Sequence, residues 1–273
     1  MKYSEFLSAL STAAGGRMDL TPDADGIVRL EAGELSLAYR EQEDHPVRGH
    51  RAILMWGRFG TVPAEGADAL VAEMLRANDR ADDPSGATVA LVGDTLYLQR
   101  TLSAELLDAE SSVEVTGGFV AELVAWRDRV ADFRPVASAD AADETASGPS
   151  GVTRTDDAER QLAVFRCIVG KMPERGAERF RRAMLHANFM GGDTAGACLG
   201  VTAAGEIVLS LALPLVLTGD ETAAEVTRRM SDMAQEWRCL VADYAPVAVR
   251  QEAEADESRK LARRLIISAG LRV

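Results

Sequence analysis

Aromatic residues are scarce in this sequence, 5% of its 273 positions, which leaves few ring platforms for stacking single-stranded bases. Cations are outnumbered. Lys and Arg total 30 against 43 Asp and Glu, and the formal charge of −13 repels phosphate backbones and anionic lipid. Three histidines and three cysteines are too few for most multi-metal or disulfide scaffolds. Long hydrophobic runs are missing as well. The most apolar one, Ile207 to Leu217, is too short to span a bilayer and contains Pro214. At the start, Met1-Lys2-Tyr3-Ser4-Glu5 places an acid where an export signal needs an apolar stretch. Cys167, Cys198 and Cys239 lie in apolar segments and are expected to be buried, reduced thiols. What remains is a globular chain, 47% hydrophobic and 27% charged, long enough for one large domain or two ordinary ones. The expectation is a cytoplasmic protein without nucleic-acid partner or membrane insertion.

The sequence repeats itself. Gly60-Thr61-Val62-Pro63 returns as Gly170-Lys171-Met172-Pro173, and Met74-Leu75-Arg76-Ala77-Asn78 as Met184-Leu185-His186-Ala187-Asn188. Gly66-Ala67 with Gly176-Ala177 and Gly86-Ala87 with Gly196-Ala197 keep the same offset. One inserted residue near Gly205 then aligns Leu98 with Leu209, Trp126-Arg127 with Trp237-Arg238, and Val130-Ala131-Asp132-Phe133 with Val241-Ala242-Asp243-Tyr244. A register held across so many uncommon residues marks a duplicated domain.

Each copy reads as the same series of elements. Residues 51–59 and 161–169 are apolar and β-branched enough for a strand ending at Gly60 or Gly170. Pro63 and Pro173 are expected in a first helical turn, where a missing N–H is tolerated. Ala67, Leu70, Val71, Met74 and Leu75 follow with helical spacing, and the helix stops near Asn78 or Asn188. A hairpin comes next, turning at Gly93-Asp94 in one copy and Ala203-Ala204-Gly205 in the other. Closing helices over 113–133 and 223–244 carry Trp126 and Trp237 as packing anchors.

The copies differ at their ends. The first is preceded by a helix with Tyr3, Phe6, Leu7 and Leu10 at i, i+3, i+4 and i+7, then by strands around Ile27–Leu30 and Leu35–Tyr39 joined at Gly33. Before the second, residues 134–159 are rich in Ala, Ser, Asp, Pro and Gly and read as a flexible acidic linker. The organisation is therefore a first domain over 1–133, a linker over 134–159, an N-terminally truncated second domain over 160–247, and a tail helix over 248–273. Leu261, Leu265, Ile266 and Leu271 are expected to dock on the second domain in place of its missing first helix.

No motif in the sequence has the pattern of an active site. Gly191-Gly192-Asp193-Thr194-Ala195-Gly196 follows a helix and opens a strand, the reverse of a phosphate-binding loop. His45, His50 and His186 lack Cys or carboxylate neighbours at metal-ligand spacing. No Cys–His pair is adjacent in sequence. The expectation is a protein without metal, cofactor or enzymatic activity.

Met184-Leu185-His186-Ala187-Asn188-Phe189-Met190-Gly191-Gly192, the run Thr194 to Gly200, Leu211-Ala212-Leu213-Pro214-Leu215 and the closing Glu236-Trp237-Arg238 resemble class I type III secretion chaperones, the Tir chaperone family. The first copy matches more loosely through Leu75-Arg76-Ala77-Asn78, Leu98-Gln99-Arg100-Thr101-Leu102 and Trp126-Arg127. The resemblance implies an α+β fold, an antiparallel sheet flanked by helices and repeated in tandem. It further implies that the family's dimer is made here within one chain, as a pseudo-dimer, leaving the protein monomeric. By the same resemblance the partner is a secreted effector, held in an extended, secretion-competent form without ATP. A YbjN-like regulatory interaction module is the alternative.

Binding of that kind combines strand addition at a sheet edge with apolar anchoring of alternate side chains. Leu35, Leu37 and Tyr39 form one alternating face, and Phe6 and Leu10 are placed to line a groove beside it. In the second copy Leu209 and Leu211 alternate with Val208 and Ser210, so one set is expected to face away from the core. The candidate partner-binding residues are thus Phe6, Leu10, Leu35, Leu37, Tyr39, Leu209 and Leu211.

Overall fold

A computed structural model describes residues 1–32, 35–42, 51–79, 87–134, 151–189, 194 and 196–268, with side chains to Tyr244. The first half begins with helix α1 (Tyr3–Ala13) and strands β1 (Ile27–Ala32), β2 (Leu35–Gln42) and β3 (Ala52–Thr61). Helix α2 (Ala67–Ala77), the hairpin β4 (Thr88–Val92) and β5 (Thr95–Ser103), and the closing helix α3 (Ala109–Ala131) complete it. The second half holds β6 (Thr153–Asp157), β7 (Leu162–Lys171), α4 (Ala177–Asn188), β8 (Cys198–Val201), β9 (Glu206–Pro214) and α5 (Asp220–Ser268). Every strand pairing is antiparallel. The sheets run β1-β2-β3-β5-β4 and β6-β7-β9-β8, so among the described residues the second matches the first without its outermost strand.

The duplication extends to local irregularities. The β3–β5 ladder shifts register between Arg58 and Gly60, and β7–β9 shifts at the counterparts Ile168 and Gly170. Gly66 and Gly176 precede α2 and α4 with φ of 72° and 68°, a left-handed turn that a Cβ would strain. Pro63 and Pro173 are not in the first helical turn: α2 and α4 begin beyond these glycines, and the prolines belong to the connection from the strand. Asn78 ends α2 and clamps the next strand, its amide donating to Val89 O at 2.9 Å while its Oδ1 accepts from Val89 N at 2.9 Å. Asn188 does the same for Leu199, at 2.9 and 2.8 Å. Both are fully buried.

Closing helices cover one face of each sheet. Trp126 and Trp237 are 8% and 6% exposed, as expected of packing anchors. Trp126 lies 5.9 Å from Phe59, and Trp237 stands edge-on to Phe180 at 6.2 Å. The other faces are buried too, because the halves meet there and α2 packs on α4. The molecule is an α+β tandem repeat closed as a pseudo-dimer.

Three further expectations change. Residues 153–157, read as the end of the linker, form β6 along β7. Their composition, Thr-Arg-Thr-Asp-Asp, conceals a strand because its side chains are almost all solvent-exposed. Cys239 is exposed, unlike Cys167 and Cys198, since it lies on the outer face of α5. Residues 254–268 are helical, but as the continuation of α5 rather than as a separate helix. The docking expected of Leu261, Leu265, Ile266 and Leu271 falls outside the described side chains, as do His45, His50 and most of the glycine-rich run at 191–196.

Candidate functional site

The sequence places the candidate site where α1 meets β1 and β2. Helix α1 turns Tyr3, Phe6, Leu7 and Leu10 inward, and all four are buried. The Tyr3 hydroxyl donates to Tyr39 O at 2.9 Å, and Phe6 meets the Tyr39 ring at 5.8 Å in a tilted pair. Burial raises both phenols. Tyr3 stays neutral at any ordinary pH, and Tyr39 is pushed up to about 12. The N-terminal ammonium donates to Ala104 O at 2.8 Å, fastening the start of α1 beside α3.

Phe6, Leu10, Leu37 and Tyr39 are therefore core rather than an open groove, being 0%, 7%, 6% and 1% exposed. They cannot touch a partner while α1 stays in place; they hold the helix against the sheet. Leu209 and Leu211 do not face away from the core either: both are buried, and they pair with Cys167 and Phe165 of β7, the strand against which α5 packs. Nor do Val208 and Ser210, which the other half buries. Of the seven, Leu35 keeps partial exposure, together with Leu30, which the sequence reading left out. Leu30 pairs with Leu37, and Leu35 with Ala32, so both belong to the outer ribbon of the first sheet.

That ribbon ends in an unpaired margin, because β1 is the terminal strand and pairs with β2 alone among the described residues. Such a margin offers main-chain donors and acceptors to another extended segment. Half-buried Leu30 and Leu35 pack against the core in this ribbon.

The second half ends differently. Its terminal strand β6 is short and charged, with Arg154 pairing Asp156 at 2.7 Å and Asp157 pairing Arg160 at 3.2 Å. By register Arg154 stands where Tyr39 stands in the first half, since Tyr39 pairs with Met55 and Arg154 with its counterpart Phe165. The Arg154 guanidinium lies 6.0 Å from the Phe165 ring, a cation–π contact in place of aromatic packing under α1. A short, charged margin of this kind discourages strand addition.

A family profile for the Tir chaperone protein (CesT) family matches residues 5–127 and 152–238, both halves. The chain belongs to the Tir chaperone family. The match spans most of the sequence, and its first segment takes in α1 from Glu5 onward and the β1–β2 ribbon. Among solved structures, the ExsC–ExsE complex aligns with a chain that is 17% identical, covering 50% of this chain and 100% of that one at a TM-score of 0.39. The HopA1–SchA chaperone–effector complex aligns at 12% identity and a TM-score of 0.35, covering 47% and 98%. The ExoU–SpcU complex of the Pseudomonas aeruginosa type III secretion system aligns at 17% identity and a TM-score of 0.33, covering 45% and 92%. No curated protein sequence matches the chain. Among the described residues, no helix is long and apolar enough to cross a membrane, and no three His, Cys, Asp or Glu side chains gather as metal ligands would.

Proposed function

We propose that this Tir-family chain is a type III secretion chaperone that holds the N-terminal segment of a secreted effector in extended form, along the outer edge of β1. In this reading the client adds a strand to the first sheet, and its alternate apolar side chains rest on Leu30 and Leu35. Phe6, Leu10, Leu37 and Tyr39 act one layer below, fixing α1 and β2 so that the edge is straight and rigid before the client arrives. Leu209 and Leu211 have a packing role alone. The chain works in the cytoplasm, before export of the client, and needs no ATP, since binding exchanges main-chain and apolar contacts without a chemical step.

The family match over both repeats carries this reading, and it favours a chaperone over a YbjN-like regulatory module. The unpaired β1 margin, with half-buried leucines beside it, supports the choice of docking line.

The test is co-purification of the full chain with secreted effectors encoded beside its gene, followed by hydrogen exchange on the complex. The expected result is joint protection of a client N-terminal segment and of the β1 amides. Leu30→Asp or Leu35→Asp is expected to weaken the complex by about tenfold or more, because a carboxylate replaces an apolar anchor. Protection confined to the second half, or full affinity in both variants, would overturn the assignment.

A further inference from the structure

A two-fold pseudo-dimer generates its contacts in pairs: each has a mate obtained by replacing every residue with its repeat counterpart. In an isologous homodimer the mates are identical. Here they differ in chemistry. Asp79 pairs with Arg166 across the halves at 2.5 Å, with side chains only 15% and 27% exposed. The counterparts of these two residues are Phe189 and Trp56. They contribute to an apolar cluster with Ala38 and Leu54, and Phe189 meets Tyr97 at 4.9 Å. An ion pair on one side of the pseudo-axis is thus an aromatic contact on the other.

The division of charge continues along α2 and α4. Both Asp68 oxygens accept from Arg181 at 2.6 Å, whereas the mate would pair Val71 with Glu178. Asp94 pairs with Arg182, whose mate would set Gly205 against Ala72, because Asp94 O and Gly205 O accept from the counterparts Val62 N and Met172 N. In these three ion pairs the first half supplies the acid and the second the base. The backbones are unequal as well. A Cβ on Gly200 would stand 2.6–2.8 Å from backbone atoms of Asn78 and Asp79, yet the counterpart of Gly200 is Ala90, fully buried.

We propose that the surface joining the halves is a specificity lock, by which each half accepts the other and rejects a second copy of itself. Two first halves would set Asp79 against Trp56 without a cation, Asp68 against Val71, and Ala90 where the backbone of Asn78 leaves room for glycine alone. Two second halves would keep Arg181 opposite Glu178 but place Arg166 against Phe189 without its carboxylate. Asp79 and Arg166 are the shielded pair, and a shielded charge stripped of its partner is costly; Asp68 and Asp94, 46% and 76% exposed, add the direction of charge rather than a burial cost. The lock keeps the chain from exchanging halves with its own copies. It equally closes this surface to two-fold-symmetric chaperones, whose two faces are the same.

The test uses two full-length variants, Asp68→Arg/Asp79→Arg and Arg166→Asp/Arg181→Asp. Each carries like charges on both its halves and is expected to lose the compact monomer, of 29.2 kDa, that is expected of the wild type. Mixed or co-expressed, they are expected to form a one-to-one complex of twice that mass, each half of one chain paired with the opposite half of the other. The variant carrying all four changes restores complementarity within one chain and is expected to be monomeric with a wild-type melting profile. That control separates a failed interface from a failed fold. The proposal is overturned if both double variants remain wild-type-like monomers, if either self-associates as readily as the mixture, or if the fourfold variant does not recover the monomer.

Discussion

The two halves share a fold but differ in how they close its outer end. The first spends α1 and β1 on it, with Phe6 and Tyr3 packed over Tyr39 and β1 paired to β2. Among the described residues, the second has neither element. Arg154 lies over Phe165, its guanidinium held by Asp156, and a short charged strand ends the sheet. The lesson is that the position of an aromatic ring in one copy can pass to an arginine in the other, whose stem packs on the neighbouring ring while its head pairs with a carboxylate. The interior shows a second kind of exchange. In the first half Gly57 leaves space for Leu123, whose methyl would stand 2.7 Å from a Cβ there. In the second half the counterparts are Cys167 and Ala234, large and small having changed places, and both are buried. The bulk at this contact sits on the helix in one half and on the strand in the other.

Three measurements sharpen or break that comparison. The largest effect is expected at the shared anchors. Trp126→Ala and Trp237→Ala should each destabilise the chain by about 3–5 kcal/mol in denaturant unfolding, the usual cost of deleting a buried indole. A loss under about 1 kcal/mol in one half alone would show that its closing helix is not a core element. Next is the interface glycine. Gly200→Ala forces a Cβ against the backbone of Asn78 and should cost about 1–3 kcal/mol. The reciprocal Ala90→Gly should cost about 0.5–1 kcal/mol, mainly through chain entropy. Equal costs at the two positions would restore a symmetric interface.

The smallest effect is alkaline. Tyr3 and Tyr39 are both buried in the first half, and the second half has only the partly exposed Tyr244. Folding raises the Tyr39 phenol from an ordinary 10.0 to about 12, so the neutral form is the one the fold favours. The stability so gained is complete below about pH 10 and is lost as the pH rises toward about 12. Spectroscopic titration should therefore show the first half loosening in that window, and Tyr39→Phe should remove the dependence due to this group. An unchanged alkaline profile in Tyr39→Phe would contradict the burial that sets it.

Much of this architecture is legible in the chain before it folds. The repeat register, the strand endings at Gly60 and Gly170, the hairpin turns and the buried tryptophans all follow from local signals, because turn glycines and periodicity act within a few residues. Asn78 and Asn188 carry a signal that the sequence reading used only to end a helix. Their recurrence in register marks the side-chain clamp each makes on the following strand. The site was less accessible. An alternating strand shows that two faces exist, not what covers each one. Leu37, Tyr39, Leu209 and Leu211 have the same pattern whether a groove or a helix lies above them, and here all four are buried. Val208 and Ser210 are hidden too, because the other half covers them.

The sequence by itself determined that one unit occurs twice, in what order its elements run and where each turns, since these depend on neighbours along the chain. Only the tertiary structure decided which faces are closed, that β6 pairs although its residues are polar, and that acids of one half meet arginines of the other. Those outcomes depend on residues far apart in sequence. Asp79 and Arg166 become partners only once α2, β7 and their sheets have been brought together, and nothing local to either residue specifies that meeting.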